Sequence, residues 1–261
     1  MKRTRIRPDI HIFPADYQPL IDGAAVYDSS CSPEARVWFI DKDGGYYLKS
    51  APQGTLAAEA AMTRFFHTKG LAAEVLDHRS TDRDWLLTAR VPGEDCTHAA
   101  YLDDPKRLCE LTATLLRELH ESDTAACPIS DHTAHYLARA EQNYHNGWYD
   151  TSLFPDNWGY TSAEEAWEVV RTHGHELHAD TLLHGDYCLP NIMLDNWRFS
   201  GFIDLGNGGI GDRHVDLFWG AWTLVFNLKT EAYCDRFWDA YGRDRVDRDM
   251  LKIVAACEVF G

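Results

Sequence analysis

The chain changes pattern once, at Pro92-Gly93, and that single change limits the folds open to it. Ahead of it lie short runs rich in Val, Ile, Trp and Tyr; behind it, longer segments carry apolar residues at helical spacing. Strands gathered first and helices later describe an α+β protein rather than a regularly alternating one. Residues 35–51, ARVWFIDKDGGYYLKSA, read as a hairpin about Asp43-Gly44-Gly45, because glycines supply the positive φ of a tight connection. Lys49 falls near the end of its second strand. Residues 55–69 are alanine-rich and free of proline, and predict a helix that carries Glu59 early and is stopped by Gly70. Two more strand-like runs, EVLDHRS and WLLTARV, flank a polar turn at 81–84.

Beyond the break, the spacing predicts helices over 105–122, 133–142 and 162 to about 177, the last opened by Ser162 and Glu165 as a capping box. One β-type island interrupts them, from TLLHGD through NIMLD to FSGFIDLG, with Asn196-Trp197 as a tight turn. From Arg213 onward the pattern is that of aromatic-rich amphipathic helices.

With 261 residues and 45% hydrophobic content, the chain can bury a substantial core. Acidic residues outnumber basic ones 41 to 25, a balance that repels nucleic acid and anionic membranes and attracts a small cation. Seven cysteines without CxxC spacing suit free thiols in a reducing cytosol. The basic start MKRTRIRPDIHIF lacks the apolar run of a signal peptide, and no stretch reaches the eighteen or so apolar residues of a membrane span. A cytoplasmic protein is expected.

Chemistry concentrates in the island. His184-Gly185-Asp186-Tyr187-Cys188-Leu189-Pro190-Asn191 is followed, after Asn191, by Asp204-Leu205-Gly206 on the next hairpin. This is the spacing of a phosphoryl-transfer loop: one Asp orients the attacking hydroxyl, while an Asn and a second Asp offer hard oxygen ligands to magnesium. Lys49 on a strand and Glu59 on the following helix have the order of the ion pair that holds a lysine against nucleotide phosphates. Taken singly, HGD is an ordinary capped turn and Lys49 and Glu59 ordinary solvated charges; the combination points to phosphoryl transfer.

Other patterns lead elsewhere and are set aside. Gly206-Asn207-Gly208-Gly209-Ile210-Gly211 fits the dinucleotide fingerprint but lacks its alternating βαβ surroundings. His173, His175 and His178 do not share one helical face and have no HExxH or cysteine partner for zinc. No G-x-S-x-G elbow is present, and Cys188 reads as a packing residue.

The run HGDYCLPNIMLDNWRFSGFIDLGNGGIGDRHVDL closely resembles the core of aminoglycoside 3'-phosphotransferases, and the likeness extends over most of the chain. The resemblance implies a two-lobed protein-kinase-like fold, with a small β-rich N-terminal nucleotide-binding lobe (1–91) and a larger, mostly helical catalytic and substrate-binding lobe (92–261). ATP would bind in the cleft between them. By the same resemblance Asp186 is the catalytic base, Asn191 and Asp204 hold Mg2+, Lys49 contacts the phosphates and Glu59 orients it. Tyr47 matches the aromatic that stacks on adenine, Ser32 belongs to the phosphate-covering loop, and backbone groups near Arg90 and Val91 meet the adenine edge. On the acceptor side the resemblance implies Asp156, Glu258 and Phe260, with Asp150 compensating where Gly159 replaces a carboxylate. Each of these acids, taken alone, is more often a solvated surface charge than a ligand contact. The family's acidic C-terminal ending appears here as Cys257-Glu258-Val259-Phe260 plus Gly261, and Asn207 stands where an arginine is frequent. The expected partner is therefore a small cationic aminoglycoside, met by a monomer or weak dimer, with neither nucleic acid nor membrane involved. A kinase of another hydroxylated metabolite and a nucleotide-binding pseudokinase are the alternatives.

Overall fold

The structure is a computed structural model that describes residues 3–150 and 159–261. The chain forms two compact units, Met1–His98 with Pro190–Gly206, and Ala99–Leu189 with Asn207–Gly261.

The first unit is built on a six-stranded antiparallel sheet of order β1-β2-β3-β4-β6-β5. Its strands are β1 (Thr4–Ile6), β2 (Ala25–Asp28), β3 (Arg36–Asp41), β4 (Tyr46–Pro52), β5 (Val75–Ser80) and β6 (Arg83–Ala89). Alternation along a strand sends successive side chains to opposite faces, and here the faces have different work. Val26, Trp38, Ile40, Leu48, Trp85 and Leu87 point to one face and form a core with Phe13, Tyr17 and Ile21, supplied by the segment that ends in the short helix α1 (Gln18–Ile21). Trp38 and Trp85 stack there at 6.0 Å, and Phe13 meets Trp38 edge-on at 4.9 Å. Each such ring removes enough apolar surface from water to contribute roughly 1.5–3 kcal/mol.

The other face carries Lys49 and receives helix α2 (Ala57–Thr68) through Ala51, Leu56, Ala60 and Leu86. The helix has no side-chain cap of its own; instead the fully buried Asp84 of β6 accepts from the amides of Gly54 (2.9 Å) and Leu56 (2.8 Å). Its end is the expected one. Gly70 takes φ +72°, its amide reaches the His67 carbonyl, and Leu71 N–H reaches Phe66 O, both at 2.9 Å, a Schellman closure.

The island supplies β9 (Ile192–Asp195) and β10 (Arg198–Phe202), which join β7 (Glu94–Asp95) in a three-stranded sheet of order β10-β9-β7. Asn196 and Trp197 connect them with φ of +50° and +65°, the double positive φ of a type I′ turn, which the strand twist favours.

The second unit holds α3 (Ala99–Leu102), α4 (Pro105–His120), α5 (His132–Asn146), α6 (Ala163–His173), α7 (His214–Leu228), α8 (Cys234–Tyr241) and α9 (Arg248–Glu258). A two-stranded pair, β8 (Thr181–Leu183) with β11 (Gly209–Gly211), lies among them. Ser162 caps α6 by accepting from Glu165 N at 3.1 Å, but Glu165 reaches back to Thr161 rather than to Ser162, so the capping box is shifted by a residue. The helix α7 differs from its expected amphipathic character. Its sequence HVDLFWGAWTLVFNL carries one acid and no Lys or Arg, and it is buried along most of its first three turns, so it serves as a core helix. Among the described residues no helix is long and apolar enough to cross a membrane.

Candidate active site

Lys49 sits on β4 with its side chain on the α2 face, and this puts it opposite Glu59 in the first turn of α2. Its ammonium lies 2.7 Å from Glu59 Oε2 and 2.9 Å from Asp204 Oδ1. Removal from water is the largest influence on the Lys49 pKa and works to lower it; Glu59 and Asp204 together outweigh it, raise the pKa and keep the cation. Glu59 is itself buried, which lifts its carboxyl above the usual range against the pull of Lys49. The three side chains thus hold one another in place, and Asp204, 53% exposed, is the open end of the row.

Asp204 follows β10 in the left-handed region, φ +59°, a conformation that Asp tolerates better than most residues. Asn191 closes the short turn Leu189–Asn191, is nearly buried, and accepts from Ile203 N at 3.0 Å, which ties it to the residue before Asp204. A carboxylate and a carboxamide oxygen suit a hard cation, and among the described residues no three His, Cys, Asp or Glu side chains form a cage of their own.

Ser32 lies in the loop between β2 and β3, where its hydroxyl bonds Glu34 and holds that carboxyl below the usual range. Tyr47 shares the Lys49 face of β4, 5.1 Å from Phe39. Its hydroxyl accepts from Arg3 Nη2 at 2.6 Å, and the Arg3 guanidinium lies 4.0 Å over the Phe39 ring. Nothing in the sequence marked Arg3. The Arg90 amide is engaged, donating to Gly45 O at 3.0 Å, while Val91 is buried beside it.

In the second unit, the loop bearing Asp186 is held by its backbone. Gly185 has φ +83°, and a Cβ there would lie 1.8 Å from Asn207 O, so only glycine fits. Asp216 of α7, 0% exposed, accepts from His184 N (2.7 Å) and Gly185 N (2.8 Å). Burial alone would raise the Asp216 carboxyl; hydrogen bonds from His120 and the His184 amide overcome it and lower the pKa. Burial also favours neutral His120, whose Nε2 meets Asp216 at 3.2 Å and whose Nδ1 meets the Tyr241 hydroxyl at 2.8 Å. Two more anchors complete the loop: Tyr187 OH donates to Thr112 O at 2.7 Å, and Leu189 N to Thr223 Oγ1 at 3.1 Å. Asp216 escaped sequence reasoning, although a lone acid inside an apolar helix is a signal that a buried partner exists.

Of the acceptor-side residues, Glu258 is buried at the end of α9, where it accepts from Tyr136 OH (2.7 Å) and Trp219 Nε1 (3.1 Å). Desolvation, with a smaller contribution from the Asp186 charge, raises its pKa against these bonds. Phe260 is 1% exposed and packs edge-on against Tyr144, Tyr149 and Trp167. Asp150 is exposed, and its amide donates to Val259 O at 3.0 Å, so it stands beside this ending. Asp156 lies outside the described residues.

The glycine fingerprint has a structural cause. Gly209–Gly211 is a strand, and side chains at Gly209 or Gly211 would collide with Ile129 (2.8 Å) or His132 (2.6 Å). His173 pairs with Glu176, and Cys188 is half-buried with its thiol pKa pushed up by desolvation.

A strand lysine braced by a helix glutamate, a hairpin aspartate and a glycine-gated HGD loop define a kinase-type phosphotransferase. The profile of the phosphotransferase enzyme family matches residues 30–252, and the chain belongs to that family. It is 50% identical over 259 residues, 98% of each chain, to a Lactococcus lactis protein described as a probable aminoglycoside 3'-phosphotransferase. It is 29% identical to the aminoglycoside 3'-phosphotransferase of Streptomyces fradiae over 91% of each chain. Among solved structures, an aminoglycoside phosphotransferase of the 3'' class from Streptomyces rimosus superimposes with a TM-score of 0.72 at 25% identity, covering 91% of this chain and 89% of that one. The α+β, kinase-like fold expected from the sequence is the fold observed.

Proposed function

We propose that this protein is an aminoglycoside 3'-phosphotransferase that moves the γ-phosphate of ATP to a sugar hydroxyl and thereby confers resistance to the drug. The observation that carries the chemistry is the Lys49 ammonium seated between Glu59 and Asp204 at 2.7 and 2.9 Å. The near-full-length 50% identity to the Lactococcus lactis protein supports the acceptor class.

In this reading residues 1–91 bind the nucleotide, and residues 92–261 carry the catalytic loop, the magnesium ligands Asn191 and Asp204, and the acceptor site. Tyr47 stacks on adenine, the backbone near Arg90 and Val91 meets its edge, and Ser32 covers the phosphates. Asp186 orients the acceptor hydroxyl and takes its proton as the oxygen attacks the γ-phosphorus in line; the bond to the bridging oxygen breaks and ADP leaves. Lys49, fixed in advance by Glu59, neutralises phosphate charge without reorganising. Asn191 and Asp204 would hold magnesium, which when bound neutralises charge on the phosphate oxygens. Glu258, Asp156 and Asp150, with Phe260 anchoring the ending, receive ammonium groups, helped by the chain's net charge of −16.

The test is ADP release from ATP and magnesium against aminoglycosides, amino sugars and simple amino alcohols, with Asp186→Asn as control. Stimulation by kanamycin that the control abolishes is expected. Stimulation only by other hydroxylated compounds would replace the acceptor, and nucleotide binding without stimulation by any acceptor would favour a pseudokinase.

A further inference from the structure

Phe39 and Tyr47 pair across β3 and β4, on the same side of the sheet as Lys49. Arg3, just ahead of the outer strand β1, reaches over to both rings. Its Nη2 donates to the Tyr47 hydroxyl at 2.6 Å, and its guanidinium carbon lies 4.0 Å from the centre of the Phe39 ring and 5.7 Å from that of Tyr47. Phe39 is also packed against the hairpin turn, where a Cβ on Gly45 would come within 2.8 Å of its ring. Gly45 O accepts from the Arg90 amide at 3.0 Å, so the shelf of rings is joined to the segment expected at the adenine edge. Tyr47 meets Phe39 at 5.1 Å with 44° between the planes. A hydroxyl lies on the axis about which a tyrosine ring turns, so the Arg3 bond fixes where the ring points while Phe39 limits its tilt. Stability alone does not favour this arrangement: Arg3 Nε and Arg90 Nε are both shut away from water with no acceptor among the described residues.

We propose that Arg3 is a positioning residue for the nucleotide base, clamping Phe39 and Tyr47 into one shelf so that the Tyr47 ring already lies where a purine stacks. The inference rests on the reading above in which Tyr47 stacks on adenine. A ring that swings freely must be ordered at each binding event, and a clamp removes that cost. The base is remote from the phosphorus that reacts, so the gain is the same in the ground state and the transition state. It lowers KM for ATP and leaves kcat alone. Lysine would replace the charge of Arg3 but not its planar fork, which here bonds one ring and covers another.

The experiment measures ATP binding in the presence of magnesium by calorimetry, which needs no acceptor, alongside KM for ATP and kcat with kanamycin. The proteins are the wild type, Arg3→Ala, Arg3→Lys, Tyr47→Phe, Tyr47→Ala and the double variant Arg3→Ala/Tyr47→Phe. Arg3→Ala should weaken ATP binding and raise KM for ATP about three- to tenfold, the span of one lost hydrogen bond, with kcat changed less than about twofold. Arg3→Lys should keep the wild-type melting temperature and recover only part of the affinity, which separates positioning from folding. The double variant should bind ATP about as Arg3→Ala does, because both changes remove the same bond. ATP binding unchanged in Arg3→Ala, full recovery in Arg3→Lys, losses that multiply in the double variant, or a kcat that falls as far as KM rises would each overturn the clamp. Tyr47→Ala binding ATP like the wild type would overturn the adenine seat, and the clamp with it, while leaving the phosphotransferase intact. A wild type inactive on kanamycin would overturn the acceptor reading alone, since calorimetry still decides the clamp.

Discussion

The two halves of the chemistry are built differently. On the first unit, Lys49, Glu59 and Asp204 are charged side chains that position one another, partly open to solvent at Asp204. On the second, Asp186 rides on a loop whose backbone is bonded to a carboxylate, Asp216, that is fully buried. In the proposed mechanism the first set meets a mobile polyanion, and such groups can be set by charge, because the ligand completes the cluster. Asp186 in that mechanism is a base that must address one hydroxyl, which needs a rigid backbone, and buried hydrogen bonds provide that.

The sharpest break of this contrast is at Asp216. Asp216→Ala leaves two buried amides and His120 without their acceptor, and should cost about 3–5 kcal/mol, measurable by urea denaturation, with kcat falling even where the protein stays folded. Next comes Lys49→Ala, expected to lower kcat by roughly 10²–10³ as for other preorganised electrostatic groups, and also to lower stability, because the buried Glu59 loses its cation while Asp204 can reach water.

A third effect concerns pH. His120 has its folded pKa lowered by burial, so the unfolded chain takes up a proton that the native one refuses. Stability should therefore begin to fall as pH drops through about 6.5, the ordinary histidine value. Asp216, whose folded pKa is also lowered, contributes stability present above about pH 3.9 and lost on further acidification. Melting temperatures across this range should show two stages, and His120→Gln should remove the upper one. Glu258 has the opposite sign: burial raises its pKa, so KM for a cationic acceptor should rise as pH falls toward a value above the usual carboxyl range, and Glu258→Gln should flatten that dependence. The smallest effect belongs to Ser162→Ala, a lost helix cap worth about 1 kcal/mol with unchanged kinetics.

What could be read in advance had local causes. Gly70 ends α2 and Asn196-Trp197 turn the island because each demands a backbone angle that its own residues supply or tolerate. The HGD loop, Lys49 and Glu59 were legible by type and spacing. The N-terminal strands were not, since β1 is three residues among arginines and is fixed only by pairing with β2. Asp216 and Arg3 act on partners distant along the chain, the backbone at 184–185 and the rings of Phe39 and Tyr47, and no local pattern records such contacts.

The most direct test of the central claim is to incubate the protein with ATP, magnesium and kanamycin and locate the new phosphate by phosphorus–proton correlation NMR. A single product carrying phosphate on the 3' hydroxyl, absent with Asp186→Asn, is expected. Phosphate on a different hydroxyl, or ATP turnover without a phosphorylated sugar, would contradict it.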